Sequence, residues 1–230
     1  MTRSESKPEG GRQRSATRGG GRAERGGWRA VRKAVFGDWY PLLRDPLDLL
    51  RLSFAVAAVV FFLADSLEYA VRLAVTFLVL VAAQRLRLPR LFDLLFIVGM
   101  GLQAWGNAGR LFEEIDRWDN LVHFVIPASS VPVLYVLNVR LGVLPDLAEE
   151  EHPRQRLGLV LFAVMNGLSI GAMYEVYEYV ANKWLHADIA IGYADTIFDL
   201  VLDAAGALAG GLLLMLWSAA HWPTERRPLI

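Results

Sequence analysis

Residues 195–219 read DTIFDLVLDAAGALAGGLLLMLWSA. The stretch is long and apolar enough to cross a bilayer as a helix, which takes about 20 residues. Yet its first part carries Asp195, Asp199 and Asp203. An ionised side chain at mid-bilayer costs about 2.5–3.5 kcal/mol even on mild insertion scales, so such groups persist only by facing inward and meeting partners. Two earlier runs repeat the pattern: WDNLVHF (118–124) holds Asp119 and His123, and YEVYEY (174–179) holds Glu175 and Glu178. Together with Asp199 and Asp203 these residues are expected to share one site.

Composition agrees with a membrane location. Hydrophobic residues make up 54% of the 230-residue chain, and the mean hydropathy is +0.33, more apolar than a soluble domain of this size. The absence of cysteine excludes disulfides, thiolate metal sites and cysteine nucleophiles. The net charge of zero hides an asymmetry, because residues 1–35 hold ten Lys or Arg against three Glu. That Arg/Gly-rich tail has no apolar periodicity and cannot bury enough surface to offset its chain entropy, so disorder is expected. Its basic residues suit anionic lipid headgroups, and no nucleic-acid partner is expected.

Apolar segments follow at about 52–64, 69–83, 91–107, 119–139, 157–183 and 195–219. They define an all-α polytopic membrane bundle of about six transmembrane helices. The expected organisation is a disordered cytoplasmic tail and amphipathic lead-in over 1–48, a membrane domain over 49–220 and a short cytoplasmic tail over 221–230. The first three segments are short and must borrow flanking residues such as Leu49, Leu67 and Leu86. A cytoplasmic N-terminus puts 12, 3, 3 and 2 Lys or Arg on the inner side, 20 in all, and leaves Arg72, Arg110, Arg117 and Lys183 outside. This bias predicts an N-terminus on the cytoplasmic side.

The same topology places the charged residues at one depth. The fourth and sixth spans run inward from Asp119 and Asp195, and the fifth runs outward through Glu175 and Glu178. At 1.5 Å per residue the six side chains fall within about 12 Å of the outer interface. Spacings of three or four put each pair on one helix face. Gly167 and Gly171 extend the stripe of Glu175, and Gly206 and Gly210 extend that of Asp199 and Asp203. A glycine-to-glycine seam between the fifth and sixth spans is therefore predicted, opening into an acidic pocket. Pro127 removes the donor that would reach the carbonyl of His123, and Pro132 disturbs the next turn, so a kink is expected.

Several carboxylates cannot all stay ionised at low dielectric without sharing protons, meeting a cation or pairing with Arg. Oxygen-rich donors with one imidazole suit Mg, Mn, Fe or Zn, and helices bearing ligands at such spacings are how bundles hold them. The expected cofactor is a divalent metal ion. Asp119, His123, Glu175 and Asp199 are the candidate ligands, with Glu178 or Asp203 as general base. The structural alternative is hydrogen-bonded packing between helices, with Arg110 or Arg117 folding in as counter-charge.

The segments WDNLVHF, YEVYEY and DTIFD, in this order, resemble the YDxxxHF, YExxEW and DTQWD segments of the YjdF-like bacterial inner-membrane proteins, over about Leu91 to Gly211. They are also similar to the VanZ-like pattern. Asp119, His123, Glu175, Asp199 and Gly206 match both, while Asp203 stands where the VanZ-like pattern has Asn. Trp118, Tyr179, Ile197 and Phe198 replace a motif Tyr, Trp, Gln and Trp, leaving the charged skeleton intact. The resemblance implies a polytopic envelope protein and carries no reaction.

Three function classes fit. One is a metal-dependent enzyme acting on an outer-leaflet lipid or lipid-linked envelope precursor. Another is a proton- or cation-coupled transporter, and a third is a structural or accessory protein. The inverted repeat and midplane site common in transporters are not evident, which favours an enzyme or ligand site. No phosphate-binding loop or dinucleotide fingerprint is present.

Overall fold

The computed structural model describes residues 43, 45–146, 153–185 and 192–220. The expected Arg/Gly tail and the C-terminal tail from 221 lie outside them, except where the first helix begins. Among the described residues the chain is all helix: α1 Pro46–Leu63, α2 Leu67–Gln84, α3 Arg90–Ala108, the short α4 Leu111–Glu114, α5 Trp118–Arg140, α6 Pro153–Leu185 and α7 Tyr193–Ala219. All but α4 are long and apolar enough to cross a membrane. Apolar residues such as Val59, Leu63, Leu78, Met165 and Met173 point away from the bundle. That is costly in water and natural against lipid.

Helix α1 starts ahead of residue 49 because its capping chemistry does. Asp45 accepts from the amide of Leu47 at 3.1 Å, Asp48 accepts from the amide of Asp45 at 3.0 Å, and Pro46 occupies the first turn. This reciprocal box satisfies donors that a helix start otherwise leaves free. One turn further stands Arg51, counted in the sequence only among the inner basic residues. It is 2% exposed and is bound to Asp48 at 2.6 Å and to Asp93 of α3, while Gln84 of α2 donates to Asp48 at 2.7 Å. A buried guanidinium needs partners on this scale, so Arg51 and Asp48 together tie three helices.

Helices α1, α2 and α3 pack as one group, α5 lies against α3, and α7 packs most extensively against α5 and α6. Leu73, Leu80, Phe92, Val136 and Leu214 belong to one apolar core. Val131, Ala163 and Ala207 form a smaller one between α5, α6 and α7. Helix α5 runs unbroken through Pro127 and Pro132. At one end of the bundle the rings of Phe92 and Trp217 lie 5.0 Å apart and tie α3 to α7.

The glycine seam needs correction. A methyl at Gly167 would overlap Ala207, and one at Gly171 would overlap the carboxylate of Asp203, so that stripe does face α7. Gly206 and Gly210, however, press against the carbonyls of Phe124 and Ala128 in α5. Helix α7 is flanked on two sides, and its small residues admit the backbone of α5 while those of α6 admit α7. Two close seams therefore converge on Asp203.

Candidate functional site

The site is built where α5 and α7 begin and α6 ends. Helix α5 starts after Arg117, which adopts the left-handed conformation at φ 64°. Trp118 then donates its indole N–H to the carbonyl of Leu102 in α3 at 3.3 Å, anchoring the new helix. Asp119 follows with its side chain 36% exposed, and His123, one turn deeper, is buried.

The two imidazole nitrogens meet different surroundings. Nδ1 lies 3.2 and 3.4 Å from the two carboxylate oxygens of Asp203, which is held between Gly171 and the ring. Nε2 lies 3.8 Å from Asp119 Oδ1 and 4.0 Å from Glu175 Oε1. Those separations are too long for hydrogen bonds. Glu175 uses only its other oxygen, Oε2, which accepts from the Thr196 hydroxyl at 2.6 Å.

Three buried polar atoms from three helices are consequently left without partners: His123 Nε2 on α5, Glu175 Oε1 on α6 and Asp199 Oδ1 on α7. Buried groups of this kind are normally satisfied, and the exceptions call for an explanation. One donor atom each from Asp119, His123 and Asp199 lie within 4.8 Å of one another, as do one each from His123, Glu175 and Glu178. All six residues singled out in the sequence thus come together. Glu178, Asp199 and Asp203 are buried, and Glu175 is 11% exposed at its side chain.

The Arg counter-charge considered above does not arise. Arg110 turns to Glu113 and is exposed, Arg117 is exposed, and among the described residues no Lys or Arg pairs with the site carboxylates. Among the described residues this cluster of acids around one imidazole has no Lys or Arg of its own, which is the setting a bound metal ion would balance.

Sequence reading missed three neighbours. Thr196 holds Glu175, and its only signal was its place beside Asp195. Tyr174 lays its ring edge-on to His123, with centroids 5.3 Å apart at 75°. Its hydroxyl accepts from Gln103 Nε2 of α3 at 2.5 Å. Gln103 was legible as an amide within an otherwise apolar run. Asn107, one turn on, donates to the carbonyl of Gln103 and accepts from Arg72 of α2, each at 2.9 Å. Helices α2 and α3 thereby brace a site whose carboxylates and imidazole they do not supply.

Residues 47–220 match the model of a family described as predicted membrane protein, DUF2238. This is the family of the YjdF-like proteins. The VanZ-like similarity rests on the shared motif residues alone. No curated protein and no solved structure matches the chain.

Proposed function

Since the chain belongs to the DUF2238 family of predicted membrane proteins, we propose that it binds one divalent cation among Asp119, His123, Glu175 and Asp199. We further propose that it uses the ion on an outer-leaflet lipid or lipid-linked envelope precursor. On this reading the chain lies in the bacterial inner membrane, as its YjdF-like resemblance implies, with its N-terminus in the cytoplasm, an orientation supported by the 20 inner against 4 outer basic residues.

The carrying observation is that three buried atoms, His123 Nε2, Glu175 Oε1 and Asp199 Oδ1, are unpartnered on residues of two donor groups that meet at His123. A hard or borderline cation takes carboxylate oxygen and imidazole nitrogen together. When bound it would act as a Lewis acid toward a carbonyl or phosphoryl oxygen and would activate a water. Glu178, buried beside Glu175 in the second donor group, is the candidate base. Asp203, expected from sequence as an alternative base, is assigned instead to positioning. Its carboxylate against Nδ1 fixes the ring and directs Nε2 toward the ion, as carboxylates behind metal-bound histidines do.

Elemental analysis of the purified protein tests the reading. Wild type should carry a divalent metal that Asp199→Ala lacks. Chelation should lower the melting temperature, and one specific metal should restore it. Metal-free wild-type protein, indifferent to chelators, would overturn the proposal.

A further inference from the structure

Asp195 was not counted in the site, yet it stands over it. It lies exposed in the first turn of α7, four residues before buried Asp199 and on the same face of the helix. Helix α5 repeats this arrangement, with Asp119 partly exposed and His123 one turn deeper. Both helices therefore run from a solvent-accessible carboxylate to a buried donor. A row of acids alone would mean little. What makes it a path is its end, where His123, 3% exposed, keeps Nε2 unpartnered.

Resting on the metal reading, we infer that Asp195 and Asp119 form the entry by which the cation reaches the site from the aqueous surface at this end of the bundle. Asp195 acts as a capture residue and not as a ligand. Negative charge at the mouth of a low-dielectric cleft concentrates cations there and speeds their association, and the effect is screened by salt. Arg117, exposed and two residues before Asp119, opposes that field. The two side chains should therefore shift loading in opposite directions.

The test is stopped-flow loading of chelator-stripped, full-length protein in nanodiscs with Mn2+ alone, read by quenching of tryptophan fluorescence. At low ionic strength Asp195→Asn should slow association about threefold, as expected for one charge acting on a divalent ion across partly aqueous space. Asp195→Glu should restore the rate. Arg117→Asn, which keeps a residue at ease with positive φ, should accelerate loading by a similar factor. Both differences should vanish at about 0.5 M salt, with the bound stoichiometry unchanged. Unaltered Asp195→Asn kinetics in a protein that still binds Mn2+ would sink the entry path alone, as would slowing that persists in high salt. Wild type that binds no Mn2+ at equilibrium would overturn this inference and the metal reading together.

Discussion

At the scale of single residues, the site turns on which nitrogen of His123 is committed. Asp203 occupies Nδ1 at 3.2 Å and leaves Nε2 facing the other carboxylates. Replacing Asp203 by Asn keeps the shape but removes the charge behind the ring, and metal affinity should fall about 10- to 100-fold. Competition against a calibrated chelator measures this, and unchanged affinity would deny Asp203 its positioning role. Gly171→Ala reaches the same residue from the other side. The added methyl would meet the Asp203 carboxylate, so this substitution should weaken metal binding although it introduces no polar change.

At the scale of elements, α1 is joined to α2 and α3 through Arg51, Asp48, Gln84 and Asp93. Removing one member of a buried charged set leaves uncompensated charge, so Arg51→Ala should destabilise the protein by about 3–5 kcal/mol. Unfolding in mixed micelles would show it, and a loss near zero would mean that the cluster is solvated and not a clamp. The seam between α5 and α7 makes a second case. Gly206 lies against the carbonyl of Phe124, and Gly206→Leu should force the two helices apart at a cost of about 1–3 kcal/mol or more. Because Asp203 and His123 face each other across that seam, metal binding should be lost along with stability. Loss of neither would remove the reason for bringing α5 and α7 together.

At the scale of the whole molecule, the described residues include six helices of sufficient length and apolarity to cross a membrane, and the orientation proposed for them follows from the basic bias of the connections. The chain has no natural cysteine, so single cysteines report it directly. Ile115 and Leu141 are both exposed, 45% and 47%, at opposite ends of α5. Ile115→Cys should react with an impermeant maleimide from the outer side of intact spheroplasts, and Leu141→Cys only after lysis. The reverse pattern would invert the topology and put the site on the cytoplasmic side.

Sequence by itself determined the helical class, the spans to within a few residues and the six charged side chains, because burying a charge in lipid is costly enough to be legible one residue at a time. Helical spacing then put Asp119 with His123, and Glu175 with Glu178, on common faces. Only tertiary structure decided which partner each face met. Gly206 and Gly210 could serve either neighbour, and they admit α5 because α7 is flanked on two sides. In the sequence Arg51 stood only as one of the counted inner basic residues, and its burial depended on Asp93, 42 positions away. Gln103 and Tyr174, 71 positions apart, meet only through the packing of separate helices. Helical period sets what one helix can present, whereas the choice of contact across the bundle is made by shape and polar pairing among all of them at once.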